Sequence, residues 1–225
     1  MQTEALIQLL VDDISPVRPL APPWRRAAKW LAISLAFVVL LIAFLSPNPA
    51  RIANIRAVRF WLEQLAAVTT GFVAAVAALT AVVPGRSRRV CWLAGVPLLA
   101  WIGVVVWGCV QDWARRGADG LVIHSDWPCV VAMMVAALVP ATLLAGMLRR
   151  GAPLAPKAAA AFAGLAVAGL SSATACLSRP TPHGTTATVL VWHFGTALML
   201  VGGAVVAGWH VREWRVTSSL ARRFR

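Results

Sequence analysis

Charged side chains are scarce in this sequence, and acidic ones are the scarcest. Only 13% of the 225 residues are charged, with 8 Asp and Glu against 21 Lys and Arg, whereas soluble domains average about 25% charged residues. Acids so few and so scattered do not suggest a pair of carboxylates for acid–base catalysis. Gly-x-Ser-x-Gly, His-Glu-x-x-His and Gly-x-x-x-x-Gly-Lys motifs are also missing. We therefore expect that the chain is not an enzyme.

Long hydrophilic stretches are lacking as well. Hydrophobic residues make up 60% of the chain, against about 45–50% in soluble proteins, and a soluble domain of this length could not bury them all. Apart from Glu63, the charges fall in short clusters between long apolar runs. This pattern is typical of membrane loops, so the net charge of +13 is not interpreted as a sign of direct nucleic-acid binding.

The apolar runs predict an all-α membrane protein with a bundle of six transmembrane helices. Each run approaches the ~20 residues that a helix needs to cross a bilayer. The expected spans are roughly 30–45, 60–83, 90–110, 127–148, 158–177 and 186–209. Three regions follow: residues 1–28 form a cytoplasmic N-terminal helix and Pro-rich tether, 29–210 the membrane domain, and 211–225 a basic cytoplasmic tail.

The distribution of basic residues predicts how the bundle is oriented. The termini and loops on the N-terminal side hold 15 Lys and Arg, whereas the opposite loops hold 6. Because cytoplasmic loops carry the excess of Lys and Arg, we expect both termini in the cytoplasm and the chain in a bacterial inner membrane. The first outer loop fits this rule least well, since it holds three arginines: Arg51, Arg56 and Arg59.

The N-terminal segment has the pattern of a short partner-binding helix. Its apolar residues lie on one helical face, and the opposite face is polar and partly acidic. The apolar face consists of Leu6, Ile7, Leu10, Val11 and Ile14, with Asp12 opposite and Asp13 at the border. A helix lying on the membrane usually carries Lys or Arg on its polar face, so we favour docking onto a soluble protein, with the membrane surface as the alternative.

Two cysteines flank the predicted hairpin of the fourth and fifth spans. Cys129 lies 20 residues before Arg149, and Cys176 lies 19 residues after Lys157. Arms of nearly equal length place both sulfurs at one depth, close to the outer surface. Spacing alone leaves open whether they are ordinary small apolar residues or form a disulfide, bind metal or stay free. Cys109 competes as a partner for either cysteine.

Two further ionisable residues fall within predicted spans. His193 needs a partner in the bundle interior, and the alternative is that it joins Cys129 and Cys176 as a soft-metal ligand. Glu63 lies one turn beyond Arg59 and is expected to form an ion pair with it. We treat His193 and Glu63 as accessory residues of the cysteine pair.

The order and spacing of several short motifs give the chain a family resemblance. The motifs are Leu6-Ile7 through Asp12 to Pro16-Val17-Arg18-Pro19-Leu20, then Pro22-Pro23-Trp24-Arg25-Arg26, Phe60-Trp61-Leu62-Glu63, Leu148-Arg149-Arg150-Gly151-Ala152-Pro153 and Trp192-His193. With Cys129 and Cys176 at the positions of the characteristic pair, the chain resembles the NrsF-like family of six-span bacterial membrane anti-sigma factors. Ala175 replaces the His that often precedes the second cysteine in that family.

The resemblance implies a regulatory function. Such proteins hold an extracytoplasmic-function sigma factor at the inner membrane and release it on stress. Cys129 and Cys176 would then sense the signal, with a transient heavy-metal ion as one form of it and no resident cofactor. The sigma factor would bind at the cytoplasmic face to Leu6, Ile7, Leu10, Val11, Asp12, Asp13, Ile14 and Arg18. The alternatives are a small polytopic transporter or channel, and a membrane assembly protein.

Overall fold

Six α-helices form the described part of the chain. The computed structural model describes residue 8 and residues 20–45, 58–83, 92–151, 155–178 and 185–223, with side chains described except for 45, 174–178 and 210–223. The helices are α1 (Pro23–Leu45), α2 (Val58–Ala81), α3 (Gly95–Arg116), α4 (Trp127–Leu148), α5 (Pro156–Ser178) and α6 (Thr186–Arg223), with a 3-10 turn at Gly117–Leu121. The all-α prediction is therefore confirmed for these residues.

Contacts between helix ends show which ends lie together, and from them that successive helices of the chain run in opposite directions. Arg26 near the start of α1 bonds to Met147 near the end of α4, and Gly151 just after α4 lies against Val82 just after α2. We call this the α4–α5 end of the bundle. At the opposite, α3–α4 end, Asp112 near the end of α3 bonds to Thr186 at the start of α6.

The central helix is α5, which packs against α1, α2, α4 and α6. Small residues allow this close packing. A Cβ atom on Gly169 would lie 2.6 Å from the Ala67 carbonyl oxygen of α2, and one on Gly164 would lie 2.6 Å from the Val201 Cα of α6. These glycines therefore permit the close approach of α5 to both α2 and α6.

Large apolar side chains cover much of the bundle surface. Leu99, Leu198 and Phe44 are 70%, 72% and 83% exposed, which suits contact with lipid. Within the described residues, five helices are long and apolar enough to cross a membrane: α1, α2, α3, α4 and α6. The fifth predicted span, residues 158–177, corresponds to the central α5, and the full count of six spans stays a prediction.

Three helices extend further than their apolar runs indicate, and the first of them, α1, begins at Pro23 rather than near residue 30. The third span was expected to end near residue 110, but α3 continues through Asp112 to Arg116. Within this extension, the Asp112 carboxylate bonds to Thr186 of α6 and lies beside Arg116. Pro97 lies in the first turn of α3, where a missing N–H breaks no helical hydrogen bond. The last helix has 38 residues and continues through the basic tail as a helix about 57 Å long.

Candidate sensing site at the α3–α4 end

Cys129 lies in the first turn of α4, where Pro128 occupies a position that suits proline. The backbone N–H of Cys129 donates to the carbonyl oxygen of Asp126 over 3.0 Å. The side chain is 5% exposed and packs with Met133. This cysteine is therefore held inside the bundle, next to a polarizable thioether.

Cys176 lies in the last turn of α5, which ends at Ser178. Because α4 and α5 are antiparallel neighbours, both cysteine positions lie at the α3–α4 end, as the spacing predicts. The side chain of Cys176 is outside the described residues. Whether the two thiols pair stays a prediction.

His193 is buried in α6, with 4% of its surface exposed. Its Nδ1 is 2.8 Å from the hydroxyl oxygen of Ser172 on α5, so the histidine has the interior partner that its depth in the bundle requires. Ser172 precedes Cys176 by four residues, about one helical turn. The histidine therefore contacts the helix face that leads to the second cysteine position.

A metal site at His193 remains a prediction. Among the described side chains, no three His, Cys, Asp or Glu residues come together as metal ligands. The predicted ligand set of Cys129, Cys176 and His193 includes the side chain of Cys176, which is outside the described residues. The hydrogen bond to Ser172 gives the imidazole a structural role with or without metal.

Trp192, the neighbour of His193, faces the other cysteine-bearing segment. Its Nε1–H donates to the carbonyl oxygen of His124 over 2.8 Å, and its ring meets that of Trp127 edge to face at 6.4 Å. Trp127 is the first residue of α4, two positions before Cys129. The Trp192-His193 pair thus contacts both segments that carry the cysteines. The sequence indicated a role for His193, but Trp192 only as part of a family motif.

A second polar network closes the same end of the bundle. The Asp112 carboxylate accepts hydrogen bonds from the backbone N–H of Thr186 at 2.9 Å and from its hydroxyl at 2.5 Å. Arg116 lies 3.3 Å from the same carboxylate, and Arg59 of α2 donates to the Thr186 hydroxyl. These contacts join α2, α3 and α6, and sequence reasoning did not identify the network.

Arg59 has a structural explanation in this network. A Cβ atom on Gly108 would lie 2.5 Å from the guanidinium carbon of Arg59, so the glycine makes room for the arginine. Because Arg59 is retained for packing, it need not act as an orientation signal. This accounts in part for the excess of arginine in the first predicted outer loop. Glu63 is half-buried and is also engaged in an interaction; its predicted ion pair with Arg59 stays a prediction.

The α4–α5 end is joined to α1 by two long-range hydrogen bonds. The Arg26 guanidinium donates to the Met147 carbonyl oxygen at 2.5 Å. The indole N–H of Trp30 donates to the carbonyl oxygen of Pro140 at 2.9 Å. These bonds fasten the start of α1 along the second half of α4.

The predicted partner-binding residues lie outside the described part of the chain. They are Leu6, Ile7, Leu10, Val11, Asp12, Asp13, Ile14 and Arg18. Gln8 is helical and exposed. The amphipathic helix as a whole stays a prediction.

Comparison with known proteins decides the family. The sequence profile of a family described as NrsF, negative regulator of sigma F, matches residues 10–214. The chain belongs to the NrsF family. The suspected resemblance is thus confirmed, and the NrsF description names a sigma factor as the regulated partner. A regulatory family accords with the expectation that the chain is not an enzyme. No curated protein and no solved structure matches the chain.

Proposed function

We propose that this NrsF-family chain is a membrane-bound anti-sigma factor that holds an extracytoplasmic-function sigma factor at the inner membrane. Both termini are cytoplasmic, and the N-terminal segment binds the sigma factor. A stress signal at Cys129 and Cys176 releases it. The family assignment supports the sigma-factor partner, and five apolar helices support the membrane location.

The Trp192-His193 pair is the observation that carries the sensing proposal. Trp192 contacts the segment leading into Cys129, and His193 contacts Ser172, one turn from Cys176. Modification of the thiols, by a thiophilic metal ion or by an oxidant that removes two electrons, changes the spacing of α4 and α5 at this end. The contacts of Trp192 with the segment leading into α4 and the contact of His193 with Ser172 of α5 then have to rearrange.

The α4 helix connects the cysteines with the N-terminal tether. It begins next to Cys129 and ends next to Met147, the acceptor for Arg26 of α1. A shift of α4 therefore acts on α1, and residues 1–22 precede α1 directly in the chain. The signal changes sigma-factor affinity only by as much as it favours one of two bundle states over the other.

Substitution in the N-terminal segment tests the binding half of the proposal. Leu10→Glu combined with Ile14→Glu places charge on the apolar face, which should abolish co-purification of the sigma factor and switch on its target genes constitutively. The matched control is Gln8→Glu, which adds charge at an exposed position and should retain the sigma factor. Undiminished co-purification with the double variant would reject this binding surface.

A further inference from the structure

Arg26 at the α4–α5 end is a buried cation with an incomplete set of partners. The residue is 8% exposed. Its Nη2 donates to the Met147 carbonyl oxygen, but its Nη1 is buried and has no hydrogen-bond partner among the described residues. Leaving a charged donor unsatisfied is costly. The structure therefore contains a donor group that a ligand could satisfy.

The surroundings of Arg26 call for an anion. Arg150 lies close enough for its charge to repel that of Arg26. An anionic group placed between the two guanidinium groups replaces this repulsion with two attractions. The four acidic residues with described side chains lie toward the opposite, α3–α4 end of the bundle: Glu63, Asp112, Asp119 and Asp126.

The position of Arg26 favours a lipid as the source of the anion. Trp24, two residues earlier, is 55% exposed, and the guanidinium carbon of Arg25 lies 5.1 Å from its ring centroid. Exposed tryptophans of this kind mark the level of lipid headgroups. Lys29, Arg149 and Lys157 are exposed at the same end, and such basic clusters attract anionic lipids.

We propose that Arg26 and Arg150 form a binding site for the phosphate of an anionic phospholipid. The bound phosphate accepts hydrogen bonds from Arg26 Nη1 and from the guanidinium of Arg150. It thereby fills the junction between the start of α1 and the end of α4. The site is independent of the proposed function, since it requires only that this end of the bundle lie at a membrane surface.

Lipid retention measured by native mass spectrometry tests the site. The full chain is purified in detergent, stripped of lipid and supplied with either phosphatidylglycerol or zwitterionic phosphatidylcholine. We expect preferential retention of one phosphatidylglycerol. Arg150→Gln should weaken this binding about five-fold, the effect of losing about 1 kcal/mol per arginine at an anionic surface. Arg150→Lys should restore part of the affinity.

Arg115→Gln is the matched control, because it removes the same charge from an exposed residue at the opposite, α3–α4 end of the bundle and should leave retention unchanged. Equal retention of the two lipids, or equal loss in the two glutamine variants, would overturn the proposal. Full displacement by millimolar inorganic phosphate would also overturn it, by identifying a soluble anion. If Arg150→Gln instead spared lipid and abolished sigma-factor binding, the anion would be a carboxylate of the sigma factor and the lipid site would be wrong.

Discussion

At the scale of single residues, the interior of this bundle depends on polar side chains that bond across helices. Ser172 bonds to His193 on α6, whereas the neighbouring Ser171 bonds back to the Ala168 carbonyl oxygen of its own helix. Hydrogen bonds between helices in a membrane contribute about 0.6 kcal/mol on average. Ser172 therefore links α5 to α6, whereas the bond of Ser171 stays within α5.

We expect Ser172→Ala to lower the unfolding free energy of the purified protein by about 0.6 kcal/mol or more, since it leaves His193 without this partner. Ser171→Ala is the matched control and should have little effect, because its bond lies within one helix. Unfolding in detergent with increasing denaturant measures both variants. Equal stability of the two would contradict the assigned role of Ser172.

The residue scale also shows where sequence reasoning stops. The depth of His193 in an apolar run predicted that it needs a partner, but it did not identify Ser172. Likewise Asp112 lies just beyond the third predicted span, which ends near residue 110, and the sequence does not indicate its bonds to Thr186. Such pairs depend on the register between helices that are far apart in sequence, and no local pattern records that register.

At the scale of elements, α5 owes its central place to residues without bulk. Gly169 brings its backbone against Ala67 and Gly71 of α2. Gly195 of α6, by contrast, has open space where a Cβ atom would stand. Glycines occur in several of the apolar runs, and which of them mark a helix crossing becomes visible only in the assembled bundle.

Replacement of a crossing glycine should separate α2 from α5. We expect Gly169→Leu to destabilise the bundle by about 1–3 kcal/mol, the usual cost of overpacking a filled interior, and to reduce the amount of protein recovered as a monodisperse species. Gly195→Leu introduces the same side chain into open space and should be tolerated. Gel filtration and thermal unfolding in detergent compare the two variants, and similar losses in both would contradict the crossing.

At the scale of the whole molecule, apolar runs predicted the positions of the helices well. The fourth span was expected at residues 127–148 and α4 occupies Trp127–Leu148. Helix ends beyond the apolar runs were missed, because α3 and α6 continue through charged residues. The orientation of the bundle rests on the distribution of Lys and Arg, and Arg59 shows that packing can retain an arginine for other reasons.

Cysteine labelling tests the orientation directly. In a background with all four cysteines replaced by serine, single substitutions Gln8→Cys and Ile123→Cys are compared, since both positions are exposed. A membrane-impermeant maleimide should label position 123 in cells with a permeabilised outer membrane and an intact inner membrane. Position 8 should react only after the inner membrane is opened. The reverse pattern would place the termini outside and contradict a cytoplasmic partner site.

The central claim is that the state of Cys129 and Cys176 controls how firmly the chain holds its sigma factor. The most direct measurement is the amount of sigma factor bound to the full chain in lipid nanodiscs, before and after addition of a thiophilic metal ion or a thiol oxidant. The control is Cys91→Ser, because the third predicted span begins near residue 90 and its start faces the cytoplasm in the predicted orientation. We predict release from the wild-type chain and from Cys91→Ser, but retention by Cys129→Ser and Cys176→Ser. Equal release from all four proteins, or release from none, would contradict the account.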